Sequence, residues 1–235
     1  MTPASQRRVR GFSLIETVIA IGVLAVLLTG FLYVFAPAAA GIKRAISVQE
    51  ADRLASGLEE ELVTLRGTGS GATGFNKAFT WIKESNNANN ALLVYQYRGS
   101  LTSKRSDDTP EPVADVTSKM PGKDFALFTM VRRKDDREFL KDLPAVQGNV
   151  YLVKCTQLIF EGNALKLGTA GQIRDPKPNG AVAATPDEYP EAVIAFAAEF
   201  HALPAKSESY MGQPFTKFFA NAKSPVFTRN LAVRR

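Results

Sequence analysis

The chain has 235 residues, 45% of them hydrophobic and 22% charged, and this ordinary globular composition excludes an intrinsically disordered protein. Its length accommodates one soluble domain together with a membrane helix. The formal net charge of +6 comes partly from short, scattered clusters such as Arg132-Arg133-Lys134, which we interpret as solvated surface charge. This distribution argues against a nucleic-acid partner.

The start of the chain combines basic and apolar residues. Three arginines lie between residues 7 and 10, and no charged residue occurs from Thr17 to Ile42. The segment Thr17–Phe35 is long enough to cross a bilayer as a helix. Because basic residues are retained on the cytoplasmic side, we expect residues 1–10 to lie inside the cell and the chain after the span to lie outside.

Glu16 stands at the very start of this apolar run. A carboxylate buried in hydrocarbon is costly, so Glu16 is expected to have a partner. If the chain is cut after Gly11, Phe12 acquires an α-amino group, which is mostly protonated near neutral pH. That cation would lie four residues from Glu16, and every neighbouring copy would carry one as well.

The first quarter of the chain resembles the N-terminal signature of type IV pilins and type II secretion pseudopilins. The resemblance rests on the basic leader, the stretch Gly11-Phe12-Ser13-Leu14-Ile15-Glu16 and the apolar helix that follows. It implies that a prepilin peptidase cleaves between Gly11 and Phe12 and methylates the new amino group of Phe12. It also implies that Glu16 pairs with the N-terminus of an adjacent subunit during filament assembly.

An ordinary signal peptide is the alternative, because small residues at Ala36-Pro37-Ala38 and Ala38-Ala39-Ala40 match its cleavage sites. However, the apolar run exceeds the core of about 7–15 residues found in signal peptides, and Glu16 would have no role there. Many type IV pilins close a C-terminal loop with a disulfide. Cys155 is the only cysteine, so this chain cannot form one, and the departure favours a pseudopilin.

Beyond the span, the apolar residues follow a helical period. They fall three, four or eight residues apart, on one face of a helix, at Ile42, Ile46, Leu54, Leu58, Leu62 and Leu65. We therefore predict one helix from Phe12 to about Arg66, kinked or loosened by Pro37 and stopped near Gly67. The predicted organisation is a leader (1–11), a membrane or filament-core helix (12–41), an amphipathic helix (42–66) and a globular head (67–235).

The sequence of residues 67–235 predicts a short helix, several strands and two long loops. The glycines of 67–74 match a dinucleotide-binding pattern, but no alternation of strands and helices surrounds them, so a flexible connection is predicted. The predicted elements are a helix at Phe75–Glu84, a loop at Ser85–Asn90, and strands at Ala91–Arg98, Phe125–Arg133, Val150–Glu161, Ala192–Leu203 and Val226–Val233. The predicted loops are 99–122 and 168–190, which would form an exposed, variable surface. The fold class is therefore α+β, with the long N-terminal helix packed on a mainly antiparallel sheet.

No catalytic, cofactor or metal site is predicted in the head. Cys155 lies in a predicted strand and is interpreted as a buried structural thiol, and with His201 as the only histidine it cannot supply a zinc site. The pairs Asp107-Asp108 and Asp135-Asp136 could attract a hard cation, but they lack the ligand spacing of a calcium loop, so turn chemistry is favoured.

These observations predict a structural filament subunit, a pseudopilin or minor pilin-like protein of a type II secretion or type IV pilus-like machine, and not an enzyme. The resemblance implies several partners: prepilin peptidase, other pilin or pseudopilin subunits, inner-membrane lipid before assembly and an assembly platform protein. It places the head in the periplasm and, after assembly, in a periplasmic or cell-surface filament. The alternatives are a single-pass membrane-anchored envelope binding protein or enzyme and a DNA-uptake pseudopilin.

Overall fold

The computed structural model describes residues 13–65, 73–162, 164–213, 215–216, 219 and 224–235. The chain divides into two compact units, Met1–Ile46 and Ser47–Arg235.

Helix α1 comprises Leu14–Val63, 50 residues, and confirms the predicted long N-terminal helix. It is continuous across Pro37. The helix ends three residues before the predicted end at Arg66, which, like Phe12 and Gly67, lies outside the described residues.

The first unit contains the apolar part of α1. The stretch Leu14–Ala39 is long and apolar enough to cross a membrane, and none of it is buried inside the structure. Its large side chains, including Phe31 and Leu32, are more than half exposed. An isolated helix that is apolar on all sides needs lipid or other helices around it.

The second unit is built on one antiparallel sheet. Its strands are β1 (Leu92–Lys104), β2 (Pro110–Pro112), β3 (Phe125–Arg133), β4 (Val146–Glu161), β5 (Ala164–Leu167), β6 (Val193–Ala202) and β7 (Phe227–Arg234). The strand order is β2-β1-β4-β6-β7, with β3 paired to β1 and β5 paired to β4, and every one of these strand pairs is antiparallel. The predicted α+β, pilin-like fold class is confirmed.

The C-terminal part of α1 and helix α2 (Gly74–Glu84) cover one face of the sheet, the inner face. The predicted apolar stripe is confirmed at Leu54, Leu58 and Leu62, which are completely buried. It is wrong for Ile42, Ile46 and Leu65, which are 62%, 59% and 49% exposed. The burial of α1 begins at Ala51, so periodicity alone extended the stripe too far toward the N-terminus.

Polar contacts tie α1 to the sheet next to this apolar face. The Glu50 carboxylate accepts hydrogen bonds from the Asn149 amide N–H (3.2 Å), the Asn149 side chain (3.1 Å) and the Tyr151 hydroxyl (3.0 Å). One turn later, Arg53 donates a hydrogen bond to Gln96 of β1. These contacts fix the register of the helix on the sheet, which apolar contacts alone specify less sharply.

The outer face of the sheet carries a second core, which the sequence analysis did not predict. Helices α3 (Glu138–Asp142) and α4 (Glu208–Met211), together with a 3-10 turn at Leu143–Ala145, supply residues to this cluster. Its buried side chains include Tyr95, Tyr97, Phe139, Leu143, Met211 and Phe215. The head therefore has an apolar core on each side of the sheet.

Both predicted loops need correction. In 99–122, β1 continues to Lys104 and pairs with β2, a polar extension that lacks the apolar alternation by which strands are predicted. Residues 168–190 are largely irregular, but they bury Ile173, Ala183 and Tyr189 in the inner core. This segment is therefore part of the packed head and is not wholly an exposed surface.

Candidate functional site

The N-terminus of α1 is closed by a reciprocal pair of hydrogen bonds. The Ser13 hydroxyl oxygen accepts a hydrogen bond from the Ile15 amide (3.3 Å), and the Ser13 amide donates one to Oε2 of Glu16 (3.1 Å). This arrangement is a capping box, in which the first and fourth residues satisfy amides that the helix leaves without partners. This capping box was not predicted, although Ser-x-x-Glu before an apolar run is its sequence signal.

The capping box changes the interpretation of Glu16. Its carboxylate already accepts a hydrogen bond from its own chain and lies where the positive end of the helix dipole favours a negative charge. An ionised carboxylate has about four acceptor sites, so one amide leaves capacity for a cation. Glu16 is exposed, so its carboxylate remains accessible from outside the chain.

The other two predicted site residues, Gly11 and Phe12, lie outside the described residues. Cleavage at Gly11 and Phe12, methylation of Phe12 and the assembly role of Glu16 remain predictions.

A capped, apolar N-terminal helix followed by an antiparallel α+β head is a pilin-like fold. Residues 6–32 match the family model for the prokaryotic N-terminal methylation motif. This motif implies a prepilin-like protein processed by prepilin peptidase, and the apolar helix is consistent with a membrane-anchored prepilin. No curated protein and no solved structure matches the chain.

In the head, Arg132 overturns the interpretation of its basic cluster as solvated charge. This residue is only 5% exposed. Its guanidinium donates to Asp107 (3.1 Å), Asp136 (2.8 Å) and Asp142 (3.0 Å), and also to the Thr109 hydroxyl. Asp107 and Asp136, one from each acidic pair considered as a cation site, are thus bound to an arginine.

Asp142 is the buried centre of this network and is completely inaccessible. Besides Arg132, it accepts hydrogen bonds from Arg105 (2.6 Å) and from the Tyr95 hydroxyl. Burial, followed by the charge of Asp142, raises the pKa of Tyr95 well above its ordinary value. We define the Arg132 network as Tyr95, Arg105, Asp107, Thr109, Arg132, Asp136 and Asp142. No short sequence motif predicts the Arg132 network, because its residues come from separate parts of the chain.

The two other candidate residues, Cys155 and His201, are buried within strands of the sheet. Cys155 is buried in the middle of β4, where burial raises the pKa of its thiol to about 12. The Cys155 amide donates to the Ser85 hydroxyl at 2.9 Å. His201 lies buried in β6, with Nε2 3.8 Å from the Glu199 carboxylate. Among the residues that the structure describes, no three His, Cys, Asp or Glu side chains form a group that could hold a metal ion.

Proposed function

We propose that this protein is a filament subunit, a pseudopilin or minor pilin-like protein of a type II secretion or type IV pilus-like machine. The observation that supports this most directly is Glu16, an exposed carboxylate at the start of the apolar stretch Leu14–Ala39, which is not buried inside its own chain. The methylation motif over residues 6–32 supports the same function.

In this proposal, prepilin peptidase cleaves between Gly11 and Phe12 and methylates the amino group of Phe12. The methylated amine keeps its positive charge and pairs with Glu16 of an adjacent subunit. The action is mechanical: the apolar part of α1 leaves the lipid and becomes buried against the same helix of other copies. The exposed side chains of Leu14–Ala39 provide the surface for this exchange of lipid for protein.

The proposed organisation follows from these steps. Residues 1–11 form the leader, 12–41 the membrane and filament-core helix, and 42–66 the amphipathic part of the helix that leads into the head, 67–235. The head lies outside the cytoplasm because arginines precede the span. The further partners are other pilin-like subunits and an assembly platform protein. The single cysteine, buried in β4, supports a pseudopilin over a disulfide-containing pilin.

N-terminal mass spectrometry of the membrane-extracted full chain tests the proposal. We expect a mature N-terminus at Phe12 carrying one methyl group when the chain is expressed with a prepilin peptidase. The matched control is Gly11→Leu, which should leave the leader attached because its side chain obstructs the approach of the protease to the backbone. A wild-type N-terminus between Ala38 and Gly41 would instead identify a signal peptide and would refute the filament function.

A further inference from the structure

Glu50 lies at the start of the part of α1 that is docked on the sheet. The residue after it, Ala51, and Leu54 one turn later are completely buried, whereas Ile46 one turn earlier is 59% exposed. Glu50 is itself half-buried, and its carboxylate contacts the N-terminal part of β4. An acidic side chain therefore stands where the helix leaves the head.

Both oxygens of the Glu50 carboxylate are bound by β4. Oε1 accepts a hydrogen bond from the Asn149 amide at 3.2 Å, and Oε2 accepts hydrogen bonds from the Asn149 side chain at 3.1 Å and from the Tyr151 hydroxyl at 3.0 Å. Hydrogen bonds to a charged acceptor are stronger than those between neutral groups. Tyr151 is completely buried in the inner core, so the sheet holds its hydroxyl in place independently of the helix.

The backbone of β4 leaves space for this carboxylate. Gly148 has a φ of 68°, a conformation that residues with a side chain rarely adopt. A Cβ at Gly148 would overlap Oε1 of Glu50 and would lie 3.1 Å from its Cδ. Two independent features of β4, its hydrogen-bond donors and its glycine, therefore fit the same side chain. We define the Glu50 clamp as Glu50, Gly148, Asn149 and Tyr151.

Asp52, two residues further along α1, provides a contrast. It forms an ion pair with Arg229 of β7 at 3.1 Å, but the side chains of Asp52 and Arg229 are 58% and 39% exposed. Exposed pairs of this kind contribute little to stability. Glu50 is more enclosed and accepts three hydrogen bonds, so it is the stronger of the two acidic contacts between the helix and the sheet.

A directed contact has a particular effect at this place. The ends of a packed element open at a lower free energy than the whole domain does. Apolar contacts such as those of Ala51 and Leu54 are non-directional, so they bury the helix without specifying where its docked part begins. The Glu50 clamp adds directed hydrogen bonds at the first docked turn.

We propose that Glu50 is a positioning residue, and that the Glu50 clamp holds the first docked turn of α1 closed and thereby fixes where the helix leaves the sheet. This role rests on the proposed filament function, because equivalent contacts in a symmetric assembly require the same conformation in every copy. Loss of the clamp leaves the head folded, since Leu54, Leu58 and Leu62 remain in the inner core. The helix then leaves the sheet at varying points.

Hydrogen exchange of the full-length protein in detergent tests whether the turn opens. We expect Glu50→Ala to speed the exchange of the amides of residues 51–54 at least about tenfold, while the amides of β6 stay protected. Alanine is the best helix former, so faster exchange would not come from lower helix propensity. Asp52→Ala is the matched control and should leave these rates nearly unchanged. Equal rates in the wild type and in Glu50→Ala would overturn the proposal.

A distance measurement between two spin labels tests the position of the helix directly. Nitroxides at Gln49→Cys and Asn230→Cys, both exposed positions, report where the start of the docked helix lies on the sheet. Cys155 is buried and stays unlabelled. We expect a single narrow distance distribution, which broadens when Glu50→Ala is added. If Glu50 contributed only to stability, the distribution would stay narrow, and that result would refute the positioning role.

Asn149→Ala tests the clamp from the side of the sheet and covers the case in which Glu50→Ala does not fold. It removes one side-chain donor and leaves the inner core intact, so it should speed exchange of residues 51–54 less than Glu50→Ala does. Adding Asn149→Ala to Glu50→Ala should have little further effect, because the two changes remove the same contact. Fully additive effects would contradict a shared clamp.

Filament content, measured beside the wild-type machinery, connects the clamp to the proposed function. Glu50→Ala should be cleaved at Phe12 and inserted into the membrane like the wild type, but its filament content should fall several-fold, with Asp52→Ala close to the wild type. Normal filament content of Glu50→Ala despite faster exchange would refute the positioning role. If the wild type itself is not cleaved at Phe12, the filament function is wrong, and the exchange and distance measurements still decide whether the clamp holds the helix.

Discussion

Gly57 of α1 lies directly against the side chain of Thr129 of β3. A Cβ placed on Gly57 would lie 3.1 Å from Cβ of Thr129 and closer still to its Cγ2. A glycine in a helix interior costs about 1 kcal/mol relative to alanine. Its presence here is therefore explained by close packing, because no side chain fits between the helix backbone and the Thr129 side chain.

We expect Gly57→Ala to destabilise the head by about 1–3 kcal/mol, because the strain of overpacking exceeds the gain in helix propensity. Thermal unfolding of the full chain in detergent, followed by circular dichroism, measures the effect. The same substitution in a Thr129→Ser background should cost less, since serine lacks Cγ2. Equal costs in the two backgrounds would show that this contact is not the cause.

Arg132 and its neighbour Arg133 provide a matched pair for the ionic network. Arg132→Met leaves the buried Asp142 without a main partner and should cost about 3–5 kcal/mol. Arg133 forms ion pairs with the more exposed Glu84 and Asp135, so Arg133→Met should cost less than about 1 kcal/mol. Chemical denaturation of both variants gives the comparison. If the two variants lose similar amounts of unfolding free energy, the buried network contributes no more to stability than an exposed ion pair does.

Acid should weaken the Arg132 network through Asp107. Burial alone would raise the pKa of this carboxyl, but hydrogen bonds from Thr109 and the charge of Arg132 outweigh burial and hold the pKa below its ordinary value. A carboxyl with a lowered pKa in the folded state stabilises the fold above its unfolded pKa of about 3.9, and that stability is lost as the pH falls through the folded value.

We therefore expect Asp107→Asn to flatten the decline in unfolding midpoint below about pH 4. Asp108→Asn is the control, since in the described structure the Asp108 carboxylate forms no ion pair, and asparagine tolerates its φ of 61°. If the wild type and Asp107→Asn decline in parallel, Asp107 does not supply acid sensitivity.

The Cys155 thiol should be unreactive in the folded protein. It is buried, and its pKa is raised to about 12, so the reactive thiolate is scarce at neutral pH. We expect no labelling by a maleimide at pH 8 in the native state and complete labelling in denaturant, as measured by mass spectrometry. Leu165→Cys is the positive control for an accessible thiol. Rapid native labelling of Cys155 would show that β4 opens at this position.

The sequence predicted those elements whose apolar residues follow a period. Strand β3 was predicted with both of its ends correct, because Phe125–Arg133 is a run of aromatic and β-branched residues. The α1 helix was predicted from its apolar run and from the helical spacing of apolar residues such as Leu54, Leu58 and Leu62. By contrast, the extension of β1 beyond Gly99 is polar and depends on pairing with β2, which only the tertiary structure provides.

The candidate site residues differ in the same way: some are recognised from neighbouring residues in the sequence, and others only from contacts between distant parts of the chain. Glu16 and its motif are contiguous, so the sequence pointed to them, and the capping role of Ser13 was also readable. Arg132 was misinterpreted because its acidic partners lie at different distances along the chain, between 4 and 25 residues away. Ile42 has the period of a buried residue yet is exposed, since periodicity defines a face of a helix but not what covers it.

The capping box allows the charge of Glu16 to be tested separately from its structural role. Glu16→Gln keeps an acceptor for the Ser13 amide, because glutamine also serves at this position of a capping box, but it removes the negative charge. Glu16→Leu removes both, and Glu16→Asp keeps the charge with a shorter reach. If Glu16 pairs with the amine of Phe12 on a neighbour, loss of the charge leaves a buried cation unpaired, at a cost of about 3–5 kcal/mol.

We therefore expect Glu16→Gln and Glu16→Leu to be cleaved and inserted into the membrane like the wild type, but to be largely absent from filaments, with Glu16→Asp in between. Each variant is expressed beside the wild-type machinery, and processed protein, membrane content and filament content are measured separately. Ser13→Ala, which weakens the cap but keeps the charge of Glu16, should be incorporated nearly normally. If Glu16→Gln is incorporated normally while Glu16→Leu is not, the carboxylate acts only as a helix cap. Normal incorporation of both would exclude Glu16 as an assembly contact.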